Sequence, residues 1–203
     1  MIRITNLKIR FQVRDFLWKE YRLLQSSLYK RDIDFRCFGN FLVVKVKKEQ
    51  QQRRPNCVRY TTLSCFYNGW INITGIDSCQ SIARSLRIFR RVFFPHWEAI
   101  FPRISPLHID NISATGHNKD IAHDFDSILK KQSYIIDRLA PDWGAVRITH
   151  NNQRFPGIFI KTNLATCIIY KTGKYVAVGI RKLDNLKNIE RIIDHVGLYA
   201  RAD

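Results

Sequence analysis

Hydrophobic and polar positions follow two alternating periods through the first half of the chain. Alternation of polar and apolar residues over 3–13 predicts a β-strand, and apolar residues at helical spacing over 14–28 predict a helix. Strand character returns over residues 35–46 and again within 59–76. Residues 78–94 then place their apolar side chains on one stripe, which predicts a second helix. The first half is therefore expected to run strand, helix, four strands, helix.

The second half repeats this order after a connection, residues 94–106, that contains three prolines. We predict a strand from residue 108 to about 114 and a helix from about 120 to 131. Four strands are expected at 144–149, 155–162, 164–170 and 174–180, followed by a last amphipathic helix. Five strands and two helices per half predict a sheet with helices on one face. The other face stays open, and its partly apolar and aromatic residues mark it as a binding surface.

Two segments of the chain share one sequence pattern. Residues 66–76 and 170–180 both contain an aromatic residue, a glycine three positions later and a second glycine six positions after the first. Ile4-Thr5-Asn6-Leu7 likewise matches Ile109-Asp110-Asn111-Ile112. This ordered set predicts a tandem duplication, with one repeat over residues 1–104 and the other over 105–203.

Positive charge is concentrated in the first repeat. The chain has 34 Lys and Arg against 17 Asp and Glu, a formal net charge of +17. Residues 1–104 hold 20 basic and 7 acidic side chains, and residues 105–203 hold 14 and 10. Such an excess repels itself unless a polyanion neutralises it, so nucleic acid is the expected partner. The alternative is a generic basic surface.

The sequence shows no pattern typical of catalysis, metal binding or membrane insertion. Its cysteines form no Cys-x-x-Cys pair, and no histidine pair has zinc-finger spacing. We find no Ser/His/Asp set, paired-carboxylate motif or glycine-rich phosphate loop, and no apolar run long enough to span a bilayer. We therefore expect no enzyme activity, cofactor, metal, disulfide, small-molecule substrate or membrane partner. The cysteines are expected to be small buried side chains.

The second repeat carries the motifs of one family in the right order. Residues 154–160 are Arg-Phe-Pro-Gly-Ile-Phe-Ile, residues 168–174 are Ile-Ile-Tyr-Lys-Thr-Gly-Lys, and Val178-Gly179 follows. The first repeat keeps the same skeleton with Phe66, Gly69, Thr74 and Gly75. On these residues the chain resembles the TATA-box-binding protein family, as a divergent member of viral or protist type.

The resemblance implies an α+β fold in which two tandem repeats form a saddle. Its curved ten-stranded antiparallel sheet would carry four helices on the convex side. Such proteins bind the minor groove and insert side chains between base steps, which bends the duplex. The resemblance places these wedges at Phe155 and Tyr170 in the second repeat, and at Phe66 with Phe38 or, alternatively, Phe41 in the first.

The resemblance also implies a set of contacts on the floor of the minor groove. Asn6 and Asn111 match family asparagines that donate to base acceptors, and the A·T minor groove offers only acceptors. Several other matching positions are polar here where the family has small apolar residues, which argues against strict TATA specificity. The predicted minor-groove set is Asn6, Lys8, Asn72, Thr74, Asn111, Ser113, Ala177 and Val178.

Basic side chains outside the sheet floor have two predicted roles. One set is expected to contact phosphates: Lys47, Lys48, Arg53, Arg54, Arg154, Lys161 and Lys174. The first four fall in or beside the polar connection over residues 45–57, for which a solvated loop is the alternative. The helix over residues 78–94 carries a second set, expected to dock a protein partner unless it is a plain solvated face: Arg84, Arg87, Arg90 and Arg91.

The resulting hypothesis is a basal transcription initiation factor. We expect it to bind A·T-rich promoter duplex, to kink it, and to recruit a general transcription factor and the RNA polymerase machinery. The expected location is the nucleus, or a cytoplasmic viral factory for a viral protein. Two alternatives stay open: an architectural DNA-bending protein without a role in polymerase loading, and a scaffold of the same fold that binds proteins instead of a TATA element.

Overall fold

The structure, a computed structural model, describes residues 1–14, 22, 25–26, 28, 34–47, 60–78, 80–93, 104–144, 146–151 and 155–202. Most of the predicted helix over residues 14–28 and most of the polar connection over 45–57 lie outside these ranges. The chain divides into two compact units. We call residues Asn6–Asp110 the N-unit, and Met1–Thr5 together with Asn111–Asp203 the C-unit. The predicted repeat boundary at residue 104 stays a prediction, since these units follow packing.

The N-unit is built on an antiparallel section of sheet with the strand order β2-β3-β4-β5-β1. Glycines allow its tight turns: Gly39 and Gly69 both have positive φ, of 47° and 81°. Its elements are β1 (Arg3–Gln12), β2 (Phe35–Phe38), β3 (Phe41–Lys47), β4 (Tyr60–Phe66), β5 (Trp70–Ile76) and α1 (Gln80–Phe93). The first three residues of β1 belong to the C-unit.

The C-unit has the matching strand order β6-β10-β9-β8-β7, again antiparallel. Its elements are β6 (His108–His117), α2 (Lys119–Lys130), α3 (Gln132–Trp143), β7 (Arg147–Asn151), β8 (Phe155–Lys161), β9 (Thr166–Ile169), β10 (Lys174–Ile180) and α4 (Asn185–Arg201). The first three residues of β6 belong to the N-unit. Strands β1 and β6 therefore each contribute residues to both units.

Each unit packs its helices on one face of its sheet section, as strand alternation requires. In the N-unit, Leu7, Ile9 and Phe11 of β1 are buried, and the Phe11 ring meets Phe89 of α1 edge to face at 5.0 Å. In the C-unit, α4 buries Ile189, Ile192, Ile193 and Val196. Burial of these apolar stripes against the sheet removes apolar surface from water and so stabilises each unit.

Helix α3 was not predicted from the sequence. The expected helix over residues 120–131 corresponds to α2. Asn118 caps the first turn of α2, because its Oδ1 accepts hydrogen bonds from the N–H groups of Asp120 and Ile121. Helix α3 follows after the single residue Lys131 and contains Pro141 in its last turn. Its buried Ile135 and Leu139 hold it to the core, which outweighs the unfavourable proline.

The predicted fold class is confirmed: the protein is α+β, with ten strands and four helices among the described residues. Among the described helices, none is long and apolar enough to cross a membrane.

Candidate nucleic-acid interface

The candidate interface is the sheet face of each unit that lies opposite the helices, which we call the open face. On β1 the residues between the buried positions are Asn6, Lys8, Arg10 and Gln12, and all are half-buried or exposed. On β6, Asn111, Ser113 and Thr115 occupy the same phase. Alternation thus brings most of the predicted minor-groove residues onto open faces.

Three aromatic rings of the N-unit stack in a row on its open face. Register explains this: Phe38 pairs with Phe41 across the two-residue turn between β2 and β3, and Phe41 pairs with Phe66 across β3 and β4. The ring centroids of Phe38 and Phe41 are 5.0 Å apart, and those of Phe41 and Phe66 are 5.1 Å apart, with interplanar angles of 16° and 23°. Phe38 and Phe41 were alternatives in the sequence analysis, and the structure places both in one stack.

The C-unit carries a second group of three rings, arranged differently. The Phe155 centroid lies 5.3 Å from that of Phe159 and 5.8 Å from that of Tyr170, and all three rings are half-buried. Gly157 makes room for them, because a Cβ at that position would lie 2.8 Å from the Phe155 ring and 2.9 Å from Ile168. Phe159 was missed by sequence reasoning, although its phase on β8 is the same as that of Phe155.

The two asparagines make the same unusual contact in the two units. Asn6 Oδ1 accepts a hydrogen bond of 2.9 Å from the Gly75 N–H, and Asn111 Oδ1 accepts one of 3.0 Å from the Gly179 N–H. Both glycines have positive φ, 82° and 81°. Because each amide oxygen is held by a backbone donor, each NH₂ group is the part of the amide left to present its donors on the open face.

The sheet floor between these features differs between the units. In the N-unit, Asn72 and Thr74 lie on the open face, whereas the same phase of β10 holds Val176 and Val178. The predicted contact at Ala177 requires a correction: Ala177 is fully buried on the helix-facing side. Neighbouring strand residues point to opposite faces, so Ala177 and Val178 cannot share one, and Val176 takes the expected place.

A charged cluster joins two open-face side chains of the N-unit, Lys8 and Arg10, to the carboxylate of Asp110. Asp110 Oδ2 is 3.0 Å from Lys8 Nζ, and Asp110 Oδ1 is 2.8 Å from Arg10 Nε. The Arg10 guanidinium carbon also lies 5.3 Å from the centre of the Trp70 ring. Sequence reasoning predicted Lys8 but not Asp110 or Arg10, although Arg10 follows Lys8 at strand spacing. Ser113, which occupies the position on β6 that matches Lys8 on β1, is half-buried.

The predicted phosphate contacts are only partly within the described residues. Lys161 ends β8 and Lys174 begins β10, and both are exposed. Lys47 ends β3. Lys48, Arg53, Arg54 and Arg154 lie outside the described residues.

The predicted docking surface is the exposed side of α1. Arg84, Arg87, Arg90 and Arg91 are all exposed, while Ser85 and Phe89 on the opposite side are buried. Arg90 and Arg91 lie in the last turn, where positive charge is favoured by the helix dipole.

Most of the titratable groups with shifted pKa values in the described part of the chain are buried. No group of three or more His, Cys, Asp or Glu residues is arranged there to hold a metal ion. Burial raises the pKa of the Cys65 thiol, and it raises that of Cys167 to about 12, so both are inert neutral side chains. Burial also raises the pKa of Tyr175, helped by the negative charges of Glu190 and Asp194. Cys37, in contrast, is exposed on β2.

Comparison with known proteins places the fold. No family model and no curated protein sequence matches the chain. Among solved structures, Methanococcus jannaschii TBP is similar, with a TM-score of 0.59 and 16% identity over 96% of this chain and 97% of that one. A rolling circle replication initiator protein from Geobacillus stearothermophilus matches with a TM-score of 0.39 and 13% identity, over 95% of this chain and 78% of that one. The first similarity shows a TBP-like fold, and the second carries no argument.

Proposed function

We propose that the protein binds duplex DNA through its open faces, in the minor groove. The observation that carries this proposal is the matched presentation of the Asn6 and Asn111 amides. The oxygen of each amide accepts a hydrogen bond from a backbone N–H, which leaves the NH₂ group to donate to a ligand. The minor groove of A·T pairs offers only the acceptors adenine N3 and thymine O2. Two donors held at equivalent places in two repeats suit that groove.

The aromatic groups supply the means to bend the duplex. Phe66 and Phe155 are half-buried, so their rings are supported by neighbours while one side stays accessible. Proteins that insert apolar rings between base steps unstack them and kink the duplex. The net charge of +17 supplies the sequence-independent attraction to phosphates.

The finer role that we propose is basal transcription initiation at A·T-rich promoters, in the nucleus or in a viral factory. Similarity to the fold of an archaeal TATA-box-binding protein supports it. The four exposed arginines of α1 would dock an acidic surface of a general transcription factor, leaving the open faces for DNA. A reconstituted system in which the protein binds and bends a promoter without supporting transcription would favour the architectural alternative.

The test of DNA binding compares ring deletions in the two units. Binding and bending are measured on a dye-labelled A·T-rich duplex by anisotropy and energy transfer. We expect Phe66→Ala and Phe155→Ala each to weaken binding by about 1–3 kcal/mol, as for other lost base-stacking contacts, and to reduce the bend. Tyr134→Ala is the control, because it removes an exposed ring from α3, outside the open faces.

Two outcomes would contradict the proposal. One is unchanged affinity and bend in both ring variants, which would remove the wedge assignment. The other is an affinity that barely responds to salt, because phosphate contacts release counterions and make binding fall steeply with salt concentration.

A further inference from the structure

The carboxylate in the cluster of Lys8, Arg10 and Asp110 does not suit A·T pairs. A carboxylate is an acceptor only, and the A·T minor groove presents only acceptors. Guanine differs, because its N2 amino group places a donor in the minor groove. We propose that this cluster reads a G·C base pair within an otherwise A·T-rich site, an inference that rests on the proposed minor-groove function.

The carboxylate has acceptor capacity for such a contact. Lys8 Nζ and Arg10 Nε each approach a different oxygen of Asp110, at 3.0 and 2.8 Å. Each carboxylate oxygen has about two lone-pair directions, so one ion pair per oxygen uses only part of them. The Asp110 side chain is 20% exposed, and Lys8 and Arg10 are 36% and 48% exposed. The two cations are therefore accessible on the open face, and the carboxylate that they contact is partly exposed beside them.

The cations complete the match to a G·C pair. Lys8 has three donors and Arg10 has five, and the contacts with Asp110 use one of each. The others can donate to guanine N3 and cytosine O2, which lie beside the amino group in the groove. The two cations also outweigh the carboxylate charge, so Asp110 does not make the cluster repel phosphates.

The arrangement is held in place before any ligand binds. The Arg10 guanidinium is fixed between Asp110 and the Trp70 ring, 5.3 Å from its centre. Fixing a polar group in its binding geometry reduces the entropy lost on association.

The C-unit lacks this device at the matching positions. Thr5 stands where the N-unit has Asp110, and its Oγ1 donates to the Ser113 carbonyl oxygen at 3.1 Å. Ser113 and Thr115 replace Lys8 and Arg10. The floor beside them is Val176 and Val178, which offer nothing to a guanine amino group. The reading of G·C therefore belongs to the N-unit alone.

The experiment changes one amino group in the DNA. A single G·C pair is moved stepwise through an A·T-rich duplex, and each duplex is compared with one in which inosine replaces that guanine. Inosine removes only the minor-groove amino group. At one position we expect the G·C duplex to bind about tenfold more tightly than the I·C duplex, the discrimination typical of a good base contact.

Protein variants identify the group responsible. In Asp110→Ala the difference between G·C and I·C should disappear. Asp126→Ala removes the same charge from an exposed side chain on α2, paired with Lys171 at 3.6 Å, and should keep the difference. Diaminopurine in place of adenine at the same position should bind the parent protein more tightly, which tests the inference without any substitution in the protein.

The possible results separate the inference from the function. Equal binding of G·C and I·C duplexes at every position would overturn the inference and leave minor-groove binding intact. A preference that persists in Asp110→Ala would overturn the assignment to this carboxylate. Absence of binding to every duplex would instead overturn the proposed function itself.

Discussion

The N-unit and the C-unit agree in the positions that fix their backbones and disagree in the side chains they present. Both hold a positive-φ glycine with an asparagine oxygen, Asn6 on Gly75 and Asn111 on Gly179. Between these contacts and the aromatic rings, the N-unit presents Asn72 and Thr74, whereas the C-unit presents Val176 and Val178. The backbone contacts are thus alike in the two units, and the open-face side chains differ. The two units therefore share one backbone arrangement and present two different surfaces.

The same comparison in the core shows that large and small residues have exchanged places. In the N-unit the pair across β1 and β5 is Phe11 with Ile71. At the matching register in the C-unit, Gly116 of β6 lies opposite Tyr175 of β10. A Cβ on Gly116 would lie 2.2 Å from the end of the Tyr175 ring, so the ring fills the space that a side chain would take. Core volume is conserved by the pair.

The largest expected difference between the units concerns their matched glycines. A Cβ on Gly75 would lie 2.2 Å from the backbone oxygen of Tyr60, while one on Gly179 would meet nothing within 4 Å. We expect Gly179→Ala to cost about 1 kcal/mol, from positive φ alone, and Gly75→Ala to cost about 3 kcal/mol or more. Urea denaturation measures both. Gly39→Ala, also at positive φ and in open space, is the control and should resemble Gly179→Ala.

Equal losses of stability in Gly75→Ala and Gly179→Ala would contradict this difference. They would mean that the backbone of β4 shifts at Tyr60 without loss of stability. Substitution of the two glycines would then have the same effect on the free energy of unfolding.

A smaller effect is expected from the exchanged core pair. Gly116→Ala should lose about 2–3 kcal/mol through overpacking against Tyr175, and Tyr175→Ile should lose about 2 kcal/mol through lost burial. The double variant restores an N-unit-like partner to the strand pair, so its loss should be smaller than the sum by more than about 1 kcal/mol. Strictly additive losses, measured by the same denaturation, would show that the two positions do not share one space.

The smallest effect is a loss of stability at high pH, shared by both units. Cys65 and Cys167 are buried, which raises their pKa values, for Cys167 from 9.0 to about 12. Above pH 9 the unfolded thiols lose their protons while the folded ones keep them. The stability from these neutral thiols is therefore complete below pH 9 and falls as pH rises, by about 1 kcal/mol per thiol between pH 9 and 10.

Alanine variants measure this effect in each unit. Cys65→Ala and Cys167→Ala should each flatten the fall in unfolding free energy between pH 9 and 10. Cys37→Ala should leave it unchanged, because Cys37 is exposed. A fall as steep in the two buried-site variants as in the parent would mean that other groups, such as Tyr175, dominate it.

Sequence reasoning succeeded where local chemistry decides the structure. The hairpins that join β4 to β5 and β9 to β10 follow from Gly69 and Gly173, whose positive φ values of 81° and 75° few other residues adopt. Alternation along β1 likewise puts Asn6 and Lys8 on one face, where the family resemblance predicted both. These signals lie within a few residues and need no knowledge of the core.

It failed where packing decides. Helix α3 contains Pro141, which suggests a break, and is held by burial of Ile135 and Leu139 that propensity cannot reveal. The choice between Phe38 and Phe41 depended on which strands pair, and the pairing put both rings in one stack. The ion pairs of Asp110 join residues about a hundred positions apart, beyond the reach of any local pattern. The error at Ala177, in contrast, could have been avoided by counting alternation from Val178.

The division of β1 and β6 between the two units sets where the chain can be dissected. A fragment that ends at residue 104 would lose Ser105. The Ser105 hydroxyl oxygen accepts a hydrogen bond of 2.8 Å from the Gln12 N–H, and the Ser105 N–H donates one of 2.8 Å to the Gln12 carbonyl oxygen. Such a fragment would also separate Met1–Thr5 from Asn111–Asp203, with which they form the C-unit. A self-contained half would instead begin at Asn6 and extend through Asp110. The predicted repeat boundary at residue 104 and the division between the packed units therefore differ, and each packed unit includes a short segment of the other predicted repeat.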